Sequence, residues 1–239
     1  MADATARRPK VLLVYYSFTG QSVKVLEAAG EVFAQRGCEV DKAAIELIDP
    51  RYAERFSRFP LRHVWRDMLS VLPAQTRRRT AQIRTPDEIR AGDYDLICIG
   101  SPTWWDAASL PVRSFLMSSE ARTLLDGKPF AVFVVCRRLW RANTDEVTEL
   151  GRHAGGRFVG AIHFDYPGSQ LRSLLSMTSY LASGEYRDRY LGLRIPQTNI
   201  APEHLDEARR FASTLADDVF GPPPRDTALH TRAAEQPHQ

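Results

Sequence analysis

A chain of 239 residues is long enough for one well-buried domain with insertions and crowded for two full domains. Its 44% apolar and 26% charged residues are an ordinary globular composition, and no apolar run reaches the roughly 18 residues needed to span a bilayer. A formal charge of +3 is too small an excess to argue for nucleic acid as a partner.

Residues 1–9 are polar, are expected to be flexible, and lack the apolar segment of a secretory signal. Cys38, Cys98 and Cys136 are too few for a disulfide framework and lie in apolar runs. Buried free thiols in a reducing cytoplasm are therefore expected. Residues 10–16, Lys-Val-Leu-Leu-Val-Tyr-Tyr, read as a buried strand between Pro9 and a Ser/Thr/Gly turn. Residues 21–36 place Val25, Ala28, Ala29, Val32 and Phe33 at helical spacing, and Gly37 ends the pattern. Residues 38–45 form a second strand, weakened by Asp41 and Lys42.

Residues 50–93 are long for one crossover between strands. Helices are expected there at 52–59 and 61–72. The basic run Arg77, Arg78, Arg79 that follows reads as a solvated face or as a docking surface for an acidic partner. A third strand spans 94–100, a helix 110–118, a fourth strand 130–136, a helix 143–154 and a fifth strand 158–164. A second insertion, 167–199, holds an amphipathic segment at 171–181, and a last helix covers 202–219. Residues 221–239 carry prolines and scattered charge and are expected to be a disordered tail. No internal repeat is present. Continuous apolar strands alternating with helices predict a single α/β domain over 10–220. Its architecture is a doubly wound, five-stranded parallel sheet of order 2-1-3-4-5 with two helical insertions.

Open sheets of this kind bind ligands at the carboxyl ends of their strands. After the first strand, Ser17, Phe18, Thr19, Gly20, Gln21 and Ser22 bring three hydroxyls, an amide and backbone N–H groups to a helix N-terminus. That end of a helix favours anions, and Gly20 permits close approach. The same residues could equally serve as a helix cap alone. After the third strand, Pro102, Thr103, Trp104 and Trp105 offer two indoles to a flat ligand, or merely cover the sheet.

Taken together, these two segments resemble the flavodoxin-like family over roughly residues 10–164 and the terminal helix. The first, Ser17-x-Thr19-Gly20-x-Ser22, resembles its phosphate loop. The second, Gly100-Ser101-Pro102-Thr103-Trp104-Trp105 followed by Pro111-Val112-Arg113-Ser114-Phe115-Leu116, resembles its second flavin loop and the next helix. The resemblance implies FMN, with Ser17, Phe18, Thr19, Gly20, Gln21 and Ser22 at the phosphate. Pro102, Thr103, Trp104 and Trp105 would then flank the ring. The third loop departs from the family pattern, with Cys136, Arg137, Arg138 and Arg141 where a small or acidic turn is usual. These arginines either face the flavin or point to solvent and pair with Asp145 and Glu146. Asn143 reads as a helix N-cap with Glu146 closing a capping box.

No Gly-x-Gly-x-x-Gly fingerprint, phosphate-binding Lys loop or metal-ligand spacing is present, so no metal is expected. Cations at Arg137 and Arg138 would stabilise an added negative charge and favour two-electron chemistry. The leading expectation is an FMN-dependent oxidoreductase, reduced by NAD(P)H and reoxidised by a quinone-like or aromatic acceptor. No acid or base residue is assigned. Residues 167–199 would fold over the flavin, with Tyr166, Leu171, Tyr180, Tyr186 and Tyr190 suited to an apolar acceptor, or would simply cover the sheet edge. This late segment is similar to flavodoxin-like proteins named for dialkylresorcinol biosynthesis, which implies a ring-aromatising step as a second possible reaction. The same fold would also suit an electron carrier docking a redox protein, or a flavin-free binding scaffold. Association of two copies is left open.

Overall fold

The computed structural model describes residues 7–56, 58–166 and 169–222. Most of the expected flexible start and disordered tail, with Pro167 and Gly168 of the second insertion, lie outside the described residues. Arg7, within the expected flexible start, reaches the Asp95 carboxylate at 2.6 Å.

Five strands form the body of the sheet: β1 (Lys10–Tyr15), β2 (Glu39–Ala44), β3 (Leu96–Trp104), β4 (Pro129–Val135) and β5 (Arg157–Phe164). The short Ala107–Ala108 strand pairs with the end of β3. The order of the five is β2-β1-β3-β4-β5, and every pairing among them is parallel. The central strands are apolar on both faces because both faces are covered. Alternation along each strand then divides the core in two. Leu12, Val14, Ile97, Ile99, Phe130, Val132 and Val134 face one layer. Val11, Leu13, Leu96, Cys98, Ala131 and Phe133 face the other.

The second layer is closed by α1 (Gln21–Gln35) and the last helix, α7 (Pro202–Phe220). The first is closed by α2 (Val64–Thr76), α3 (Leu110–Leu116), α4 (Ser119–Leu125) and α5 (Trp140–His153), together with α6 (Gln170–Ser183). Gly151 of α5 sits where a Cβ would come 2.5 Å from the Phe130 ring, so only glycine allows this helix to approach β4 so closely.

Several boundaries differ from expectation. The helix expected at 110–118 stops at Leu116, and Ser118 caps a second helix by accepting from the Ala121 N–H at 3.1 Å. The segment expected to be helical at 52–59 is one turn, Ala53–Phe56, and the next helix is shifted to Val64–Thr76. The third strand does not end at Gly100. It runs on to Trp104 because Thr103 and Trp104 turn back onto Ala108 and Ala107 in an antiparallel hairpin.

Both insertions are anchored. The first is closed at its base where Glu46–Leu47 pairs with Ile83–Arg84. There the buried Asp49 carboxylate accepts from Arg51 Nε at 2.9 Å and from the Gln82 N–H at 3.1 Å. The second insertion holds α6 and the short antiparallel pair Arg189–Tyr190 with Leu193–Arg194. The two insertions touch. Leu61 N–H donates to the Leu181 carbonyl at 2.8 Å, and the Phe59 and Tyr180 rings lie 5.1 Å apart. Among the described residues no helix is long and apolar enough to cross a membrane.

Candidate functional site at the carboxyl ends of the strands

The turn from β1 into α1 has Gly20 as N-cap at φ 75, a left-handed conformation that favours glycine, and Gly20 has no side chain to cap the helix. Ser17 Oγ accepts from the Val23 N–H at 3.4 Å. The first amides of a helix have no intrahelical partner, and the dipole makes this end electropositive. Ser22 is buried at 1% exposure, and its hydroxyl has no hydrogen-bond partner. Gln21 uses both ends of its amide: Nε2 donates to the Thr19 carbonyl at 3.1 Å, and Oε1 accepts from the Ile200 N–H at 2.9 Å. The Phe18 ring is turned away into an aromatic cluster, 5.5 Å from Phe56 and 5.6 Å from Phe59.

The second loop is the hairpin that closes β3. Trp104 lies edge-on to Tyr16 at 5.6 Å and tilted over Phe56 at 4.9 Å. Trp105 has φ 62, rare for so bulky a residue, and its indole N–H donates to the Met68 carbonyl at 3.3 Å. Both indoles are thus engaged by the first insertion. The hairpin backbone is clamped from below by a buried polar network. Gln75 Nε2 donates to the carbonyls of Trp104 at 2.9 Å and Ala108 at 3.0 Å. Arg113 reaches Glu146 at 2.6 Å, Gln75 Oε1 at 2.7 Å and the Ala108 carbonyl at 3.0 Å. Glu146 also accepts from the Ala108 N–H at 2.9 Å and from Arg78 at 2.7 Å.

This network corrects two expectations. Asn143 is not an N-cap, because α5 begins at Trp140 and buries Asn143 in its first turns. Its amide holds the hairpin, accepting from Ser101 Oγ and donating to Thr103 Oγ1, both at 2.8 Å. Glu146 does not close a capping box with it, since Arg113 and Arg78 hold that carboxylate. Arg78 stays exposed, as expected of the basic run, while it donates to Glu146. The sequence signal for the network was Arg113 itself, a charged residue in the otherwise apolar or small run Leu-Pro-Val-Arg-Ser-Phe-Leu.

At the end of β4, burial pushes the Cys136 thiol up to about 12, and its Sγ lies 3.8 Å from the Phe164 carbonyl. Arg137 is half-buried and donates to the Gln170 carbonyl at 3.0 Å. Burial first, then the neighbouring Arg138 charge, lower its pKa. Arg138 is exposed. Arg141 lies over the Trp140 ring at 5.2 Å, and that ring stacks on His163 at 3.8 Å.

Helix α6 links these loops. It starts at the Arg137 contact and ends where Leu181 meets Leu61, beside Phe59. Its 14 residues span about 21 Å. Further buried polar atoms without partners lie on the elements of this end: Tyr16 Oη, Ser109 Oγ, Ser173 Oγ, Ser179 Oγ and Asn199 Nδ2. A concavity of about 600 Å3 lies elsewhere, between the outer face of α5 and Phe158. No cluster of three metal-ligating side chains occurs among the described residues.

The order β2-β1-β3-β4-β5 with helices on both faces is the flavodoxin-like fold, whose ligand site falls at the β1/β3 switch point. No family model matches the chain, and no curated protein matches it. Among solved structures the chain is similar to a flavoprotein in complex with FMN from Lactobacillus acidophilus NCFM, at TM-score 0.48 and 18% identity over 65% of this chain and 93% of that one. It is also similar to a flavodoxin from the domain Archaea, at TM-score 0.49 and 15% identity over 88% of this chain and 99% of that one. A third similar structure is oxidised flavodoxin 2 from Bacillus cereus, at TM-score 0.49 and 16% identity over 87% and 99%.

Proposed function

We propose that the protein binds FMN at the carboxyl ends of β1, β3 and β4 and uses it as an oxidoreductase. The reductant is NAD(P)H and the acceptor a small quinone-like or aromatic molecule. The observation that carries this reading is the N-terminus of α1, headed by Gly20 and carrying the buried, unpartnered Ser22 hydroxyl, on a sheet whose order puts ligands there. The donor set fits the group. Residues 17–22 offer hydroxyls and amides with no competing carboxylate, which suits a phosphate. The buried Ser22 hydroxyl suits a ligand oxygen, because it costs about 1–3 kcal/mol if left unpaired.

Ser17, Thr19, Gly20, Gln21 and Ser22 would hold the phosphate, Phe18 contributing only its backbone. Pro102, Thr103, Trp104 and Trp105 would flank the ring, with Cys136, Arg137 and Arg138 at its far side. Bound FMN supplies hydride transfer at its own ring, and the protein supplies position and field. The half-buried Arg137 guanidinium favours negative charge developing near the end of β4. The cap formed by α6 and the first insertion favours a small acceptor over a docking redox protein.

The test is anaerobic addition of NADPH or NADH to the FMN-loaded protein, then of a panel of quinones. Bleaching without a separate reductase, and recovery with a quinone, are expected. Bleaching only when a reductase protein is added would replace the enzyme reading with that of an electron carrier.

A further inference from the structure

We infer that Asn199 is a further ligand of the anion site at the N-terminus of α1, donating its Nδ2 to an oxygen of a phosphate monoester. The inference deepens the flavin reading and rests on it for the identity of the ester. The described residues contain four buried side-chain amides: Gln21, Gln75, Asn143 and Asn199. Gln21, Gln75 and Asn143 have partners for both nitrogen and oxygen. Asn199, at 8% exposure, has an NH2 group with no partner.

Its place in the fold directs it to the loop after β1. The next residue, Ile200, donates its N–H to Gln21 Oε1 at 2.9 Å across 179 positions of sequence. This bond ties the segment before α7 to the first turn of α1, where the Ser22 hydroxyl is also buried and unpartnered. The segment is held from its other side by α6, whose Ser176 Oγ donates to the Pro196 carbonyl and lies 3.2 Å from Thr198 Oγ1. The residue next to Asn199 is thus tied to the helix turn that carries the unpartnered Ser22 hydroxyl, with no Lys or Arg in residues 17–22. A dianionic phosphate accepts from neutral amide and hydroxyl donors of this kind.

The test compares wild type, Asn199→Ala, Asn199→Asp and, as a control, Thr148→Ala, whose buried unpartnered hydroxyl lies on the outer face of α5. Each apoprotein is titrated with FMN and with riboflavin, and melted with and without inorganic phosphate. Asn199→Ala is expected to weaken FMN about tenfold, as loss of a hydrogen bond to a charged group does. Asn199→Asp should weaken it further by like-charge repulsion. Riboflavin affinity should move by less than about twofold, since it lacks the charged acceptor. Inorganic phosphate should raise the melting temperature of wild type and of Thr148→Ala but not of Asn199→Asp.

An unchanged ratio of FMN to riboflavin affinity in both Asn199 variants overturns the inference and leaves the flavin reading intact. Asn199-dependent stabilisation by phosphate without flavin binding supports the inference and overturns the flavin reading.

Discussion

Arg113 is 1% exposed and keeps its charge in the core through five hydrogen bonds to Glu146, Gln75 and the carbonyls of Arg79 and Ala108. Removing one partner leaves the other buried and uncompensated, so Glu146→Ala should cost about 3–5 kcal/mol in urea unfolding. The double variant Arg113→Met, Glu146→Leu should recover much of that loss, because a well-packed apolar pair replaces the ions. A double variant as unstable as Glu146→Ala would show that the charges themselves are required.

Asp49 belongs to the same scale. Hydrogen bonds from Arg51, then from the Gln82 and Arg51 backbone N–H groups, outweigh its desolvation and hold its carboxyl well below the usual carboxylate range. A depressed folded pKa stabilises the protein above the unfolded value near pH 4 and is lost as the pH falls through the folded one. Asp49→Asn should therefore cost about 2 kcal/mol near neutrality. The gap in melting temperature from wild type should close as the pH falls below about 4. A gap that persists at low pH would contradict the assignment.

At the scale of elements, the strands and α1 were legible because buried aliphatic runs and helical spacing are local signals. The hairpin at the end of β3 was not. Ser-Pro-Thr-Trp-Trp shows no alternation, and the turn is made by Trp105 at positive φ, which no local preference favours. It is imposed by Gln75, Arg113 and Asn143, residues remote in sequence. Asn143 looked like a cap because an Asn followed by Glu three residues later carries the capping signal whether or not tertiary contacts use it. The anchoring of the two insertions to each other was equally hidden, since it depends on Phe59, Leu61, Tyr180 and Leu181 meeting in space. Tyr180→Ala should loosen this contact. Hydrogen exchange at the Leu61 amide should rise by about tenfold or more, with β1 and β3 unaffected. Exchange that rises equally in the sheet would mean global destabilisation instead.

For the molecule as a whole, Ser17, Gly20 and Ser22 stand at the end of β1, where the sheet order puts a ligand, and their place on that turn was readable from sequence. The proposed role of Asn199 was not, because only the folded chain brings its neighbour Ile200 to Gln21. The functional proposal stands or falls on one FMN held at the strand ends, with its phosphate on the N-terminus of α1. The decisive measurement is titration of the apoprotein with FMN, followed by quenching of flavin fluorescence. Saturation at one FMN per chain is expected, with a Kd of about 1 μM or tighter, corresponding to roughly −8 kcal/mol. Ser22→Ala should bind more weakly. A folded protein that shows no saturable FMN binding would overturn the proposal.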